Sequence, residues 1–252
     1  MRIFVSLSLA SVVLLPAAGA ANARNEWYPD SVVNLHIDNH SRLAGKGYTV
    51  DELVEMVRDI DVSMIQVSAM GANGVTTFPT DIRRHPDLEE WDTLAAWREV
   101  ARRLDKRFGV YINTRGLAMY IDEPDWMQLN AEGKGKGRNR GFDICVRPRP
   151  DRSGPLHQVY LPLLADIGRY RPDALWVDGD HARIPRCYCP GCQAAWLQET
   201  GSSEPPRSEE QPLWSEWCRF QQERFDGYRH AMADAMHAAH DGCMYTSNHS
   251  WR

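Results

Sequence analysis

The sequence predicts an α/β fold, a (β/α)8 TIM barrel represented by its N-terminal five or so strand–helix units, and three observations lead there. Short apolar, β-branched runs alternate with longer helical patterns from residue 31 onward, as parallel strands joined by helices do. Polar side chains gather just after successive runs: Asp38 and His40, Asn73, Asn113 and Arg115, Asp178 and Asp180, Asn248 and His249. A barrel opens all those ends on one mouth, whereas a doubly wound sheet uses mainly its switch point. No glycine-rich phosphate loop follows the first run, which weighs against a nucleotide-binding sheet. Closure needs eight strands, so the five counted here are read as the first portion of a longer barrel.

Each element has its own justification. SVVNLHID, 31–38, is a strand of β-branched and apolar residues. In TVDELVEMVRDI, Thr49 and Glu52 are spaced as a capping box, and Leu53, Met56, Val57 and Ile60 share one helical face. Strand MIQVSA, helix WDTLAAWREVARRLDKRF and strand GVYINT follow, then a helix over 159–170 and strand ALWVD, 174–178. A loop rich in Pro, Ser and Glu leads to a long helix over 214–240 and a fifth strand, CMYTSN. Trp91, Trp97, Trp196, Trp214 and Trp217 fall at helical positions and are read as packing. The basic, glycine-rich run 132–141 follows no strand and opens no helix, so it is read as a flexible loop over the barrel mouth and not as a phosphate cradle.

Residues 1–23 stand outside the fold. A basic Arg2, an apolar run from Ile3 to Leu15 and the small-residue sequence Ala21-Asn22-Ala23 make a secretory signal, with cleavage expected after Ala23. The apolar run is shorter than the ~20 residues a bilayer span needs. The mature chain is therefore expected in the periplasm or outside the cell, with no membrane contact once the signal is removed. Its 25% charged residues are scattered and its net charge is only -5, so no nucleic-acid surface is expected and a small polar ligand is the default partner. The oligomeric state is left open.

The stretch ALWVDGDHARIPRCYCPGC, 174–192, carries the densest chemistry. Asp178 and Asp180 are two apart, so in extended backbone both leave one face together with Trp176. A carboxylate at a barrel mouth, with a tryptophan face for a sugar ring and a second carboxyl roughly 5 Å away, is what a retaining glycosidase uses. The plainer alternative is that the two aspartates cap the next segment or hold Arg183. His36, Asp38 and His40 share a face of strand one and are candidates to bind sugar hydroxyls, with His36 equally suited to the barrel interior. Asn113 and Arg115 share a face of strand three, and His181 either joins the site or caps its loop.

DALWVDGD resembles the strand-four signature of the alpha-L-fucosidases of glycoside hydrolase family 29, a Trp-Phe-Asp-Gly type motif. That resemblance implies that Asp178 is the nucleophile. The order HIDNHS, TTFPT (Thr76 to Thr80), GVYIN and WVDGD leading into CYCPGC is also similar to the family called hypothetical glycosyl hydrolase 6, over residues 33–201. Family 29 usually carries a His-His-Asp-Gly type run after strand two, whereas here the region reads AMGANGVTTFPT, so fucose is not implied as the sugar. The expected activity is retaining hydrolysis of a carbohydrate, with Asp178 attacking and Asp180 or a residue beyond 252 assisting, and no cofactor for catalysis. A binding-only barrel and a metal-dependent hydrolase with ligands such as His36, His40 and His181 are the competing readings.

Cys187, Cys189 and Cys192 form C-x-C-x-x-C, and Cys145 upstream offers a fourth ligand for one tetrahedral ion. The spacing is similar to the zinc-binding cluster of the beta-galactosidases of glycoside hydrolase family 42, which implies a closed, structural zinc site. Disulfides, such as Cys187 with Cys192, are the rival reading for an exported chain. Cys218 and Cys243 remain as buried thiols or a further pair.

Overall fold

The computed structural model describes residues 31–35, 43–114, 123–135, 137–138, 141–142, 144–145, 147–178 and 186–247. Five strands form one parallel sheet: β1 (Val32–Leu35), β2 (Met64–Met70), β3 (Arg107–Asn113), β4 (Ala174–Asp178) and β5 (Met244–Ser247). Their spatial order is the chain order, with no reversal. A doubly wound sheet reverses at its switch point, so this sheet is a piece of a (β/α) barrel.

The helices are α1 (Val50–Val57), α2 (Thr93–Arg103), α3 (Leu161–Gly168), α4 (Pro190–Thr200) and α5 (Trp214–Ala239). Strand alternation sends Ile65, Val67, Phe108, Val110, Ile112, Leu175 and Val177 to one face, where they join the main core with residues of α1, α2, α3 and α5. The inner face carries Asn34, Met64, Gln66, Ser68, Gly109, Tyr111, Asn113, Trp176, Asp178 and Thr246, and none of these belongs to that core. A bulge in β2 shifts the register so that Met70 stands beside Ile112 and joins the outer core instead of the inner face. On the inner face Gly109 lets β2 side chains close in, since a Cβ there would lie 2.8 Å from Met64 Sδ.

Local signals explain the helix starts. Thr49 and Glu52 make the expected reciprocal capping box at α1, and Asp92 accepts a hydrogen bond from the Ala95 N–H at α2. Helix α1 ends earlier than its apolar pattern suggests. Leu53 and Val57 are buried, but Met56 is 55% exposed and Ile60 lies past the last turn. Trp91 sits just before the α2 cap and not within a helix, its indole bonded to Thr93 Oγ1. A wide π turn, Leu156–Tyr160, runs into α3, where Pro162 offers no N–H. Within the glycine-rich run, Gly137–Arg138 pairs antiparallel with Gly141–Phe142.

A second, smaller core lies apart from the first. It joins Cys145, Cys187, Tyr188, Cys189, Cys192, Ala195, Trp196, Trp217 and Phe220. Trp217 stacks on Phe220 at 5.3 Å between ring centroids, and Trp196 meets both edge-on. No helix among the described residues is long and apolar enough to cross a membrane.

Candidate functional site

Strands β3 and β4 bring the one described carboxylate of the predicted pair to the C-terminal edge of the sheet. Asn113 is the register partner of Asp178, and Tyr111 that of Trp176. The Tyr111 hydroxyl donates to Asp178 Oδ2 at 2.7 Å, and Asn113 Nδ2 donates to the same oxygen at 3.0 Å. The Asn113 amide also donates to the Tyr111 oxygen at 2.9 Å, so the three side chains close a triangle. Two donors on one carboxylate oxygen fix its rotamer.

The backbone beneath is locked as well. Thr114 N–H and Thr114 Oγ1 both donate to the Asp178 carbonyl, at 2.8 and 3.0 Å. The buried Tyr160 hydroxyl donates in turn to the Thr114 carbonyl at 3.0 Å, and burial pushes this phenol's pKa up. Asp178 is thus held at both its main chain and its side chain. Trp176 lies two residues deeper on the inner face, edge-on to Tyr111 at 5.4 Å. It lines a cavity of about 220 Å³ together with Asn34, Met64, Gln66, Ala174 and Thr246.

Asn113, Trp176 and Asp178 therefore stand on adjoining strands, on one face of the sheet. Asp180, His36, Asp38, His40, Arg115 and His181 lie outside the described residues, as do Arg183, Asn248 and His249. Sequence reasoning missed Tyr111. It stands in an apolar strand where alternation alone assigns it a side of the sheet, and only the pairing of β3 with β4 puts its hydroxyl on the carboxylate. Asn73 is half-buried and accepts a hydrogen bond from the Val75 N–H, a local turn contact. The TTFPT run is built into the scaffold: Thr77 Oγ1 donates to the Ser68 carbonyl, and Phe78 is fully buried, edge-on to Tyr170.

The four predicted sulfur ligands converge. Cys145, Cys187, Cys189 and Cys192 are all buried, and their Sγ atoms lie within 4.8 Å of one another. Such a group of sulfurs is able to hold a metal ion. Cys145 and Cys192 stand 3.6 Å apart, well beyond a disulfide bond of about 2.0 Å. Hydrogen bonds from Cys187, Cys189 and Cys192 hold the Cys145 thiol well below its ordinary pKa, with the Arg147 charge adding to them. Cys192 is pushed up, first by its bond to Cys145. Cys243 is a separate buried thiol, pushed up to about 12 by desolvation.

No protein-family model matches the chain, and among curated proteins none is similar to it in sequence. Among solved structures, alpha-L-fucosidase isoenzyme 2 from Paenibacillus thiaminolyticus is similar with a TM-score of 0.69 at 19% identity, over 86% of this chain. The PgaB (BpsB) glycoside hydrolase domain from Bordetella bronchiseptica is similar with a TM-score of 0.56 at 11% identity, also over 86% of this chain. The chain spans 32% of the first neighbour's length and 64% of the second's. At these identities the likeness is one of fold: a partial (β/α) barrel of the kind found in glycoside hydrolases.

Proposed function

We propose that the chain is the N-terminal portion of an exported, retaining glycoside hydrolase, its signal peptide cleaved after Ala23, with further strands completing the barrel. The observation that carries the reading is the Asp178 carboxylate at the end of β4, held on Oδ2 by Tyr111 and Asn113. A nucleophilic carboxylate must be aimed at the carbon it attacks, and two donors on one oxygen hold its orientation. In this reading an Asp178 oxygen attacks the anomeric carbon and the glycosidic C–O bond breaks. The leaving oxygen takes a proton from the acid, assigned to Asp180 or a residue beyond 252, and water activated by the same group then hydrolyses the glycosyl ester. His36, Asp38, His40, Arg115, His181 and Trp176 are the proposed sugar contacts, and an alpha-L-fucoside-like exo-substrate is the first to test. No cofactor takes part.

The full protein that its gene encodes, and its Asp178→Asn and Asp178→Gly variants, should be assayed on a panel of nitrophenyl glycosides. Turnover of at least one glycoside is expected. The Asn variant should lose on the order of a thousandfold or more, the scale of removing a nucleophile. Added azide should rescue the Gly variant by forming the glycosyl azide. Sugar binding without turnover, unaffected by Asp178→Asn, would leave a binding protein and end the catalytic reading.

A further inference from the structure

We propose that Cys145, Cys187, Cys189 and Cys192 bind one zinc ion as a closed tetrathiolate, that buried Arg147 balances its charge, and that the ion staples two loops bordering the Asp178 edge. The inference does not rest on the glycosidase reading.

Four observations carry it. Zinc–sulfur bonds of about 2.3 Å at tetrahedral angles put the sulfurs about 3.8 Å apart. The four Sγ atoms lie within 4.8 Å of one another, with Cys145 and Cys192 at 3.6 Å, so sub-ångström shifts complete the shell. All four are buried, so no position is left for water or substrate and the ion's role is structural.

Next, the backbone presents the ligands independently of any ion. Cys145 N–H donates to the Trp126 carbonyl. Gln221 on α5 brackets Cys187, accepting from its N–H at 3.3 Å and donating to its carbonyl at 3.5 Å. Cys189 caps α4, and Cys192 lies in its first turn, where the helix dipole favours thiolate.

Charge supplies the third observation. Zinc(II) with four thiolates carries net charge -2, costly in a dry site unless a cation lies near. Arg147 is 2% exposed, stands two residues from Cys145 and hydrogen-bonds the Cys145 side chain. A fully buried arginine needs such a reason.

Finally, the cluster is the centre of the second core, which is too small to hold by burial alone. Small cores are commonly held by a metal or disulfides. The ligands come from the segment after β3 (Cys145) and the segment after β4 (Cys187, Cys189, Cys192), so the ion would join the two connections that leave Asn113 and Asp178.

The protein, purified without chelator, should contain one zinc per chain by elemental mass spectrometry. Its intact mass should show six free thiols. Cobalt(II) in place of zinc should give the intense visible bands and sulfur-to-cobalt charge transfer of a tetrahedral thiolate site. Arg147→Met should weaken zinc binding by about 10- to 100-fold against a chromophoric chelator, as loss of an outer partner does, and Arg147→Lys should recover part of it. Chelation should open trypsin sites within 123–152 and 183–194, while Cys145→Ser should leave the metal content well below one. An intact mass lighter by four hydrogens, with cysteines paired in disulfides and no metal, overturns the proposal. Full zinc binding with unchanged affinity in Arg147→Met overturns the charge-balancing role.

Discussion

At the scale of residues, the Asp178 site is a problem of orientation solved by neighbours on the adjoining strand. Tyr111 is fully buried, so its hydroxyl gains no water and relies on partners such as Asp178 and Asn113. Tyr111→Phe removes one hydrogen bond to a charged group, worth about 1.5–3 kcal/mol, and breaks the triangle. If Asp178 is the nucleophile, the variant's kcat/KM is expected to fall about 10- to 100-fold with the fold intact by circular dichroism. An unchanged rate would mean that the triangle is only structural. Asp178 was legible from the sequence because its spacing and its WVDG setting resemble a nucleophile motif. Tyr111 was not, since nothing within strand three distinguishes a tyrosine that packs from one that donates across to the next strand.

At the scale of elements, helix packing depends on close approaches that composition does not reveal. Gly168 ends α3 against the last turn of α5, and a Cβ there would lie 2.3 Å from the Ala239 Cβ. Gly168→Ala should cost about 1–3 kcal/mol by the overpacking it forces, read by urea denaturation. Ala239→Gly in the same chain should restore part of the loss, which a simple helix-propensity effect would not allow. The capping box at α1 and the length of α5 were legible because they rest on residues near in sequence. Helix α4 showed in the sequence only through Trp196 at a helical position, because its apolar face is set by the sulfur cluster and by Trp217 and Phe220 of α5. The early end of α1 shows the converse, since Met56 fits the apolar period and yet stays exposed among the described residues.

At the scale of the whole molecule, the sheet has two edges among the described residues: β1 pairs with β2 alone and β5 with β4 alone. Val32 on the β1 edge is 40% exposed. Open parallel edges recruit other strands, so a chain limited to these residues is expected to self-associate, as light scattering of the purified protein would show. Val32→Lys should raise the monomer fraction, and a wild type that is already monomeric would refute the expectation. In a barrel completed by further strands the same substitution should have little effect on association.

The sequence by itself determined the class of fold, the position of the five strands within about a residue at one end or the other, and the residue types that make the two centres. These follow from periodicity, capping and spacing, which are local. Tertiary structure decided which polar groups meet. It put Tyr111 and Asn113 on Asp178, built the TTFPT threonines into the scaffold, and drew Cys145 across more than forty residues to the C-x-C-x-x-C run. Strand register and helix packing set those distances, and both depend on pairings remote in sequence, to which local periodicity is blind.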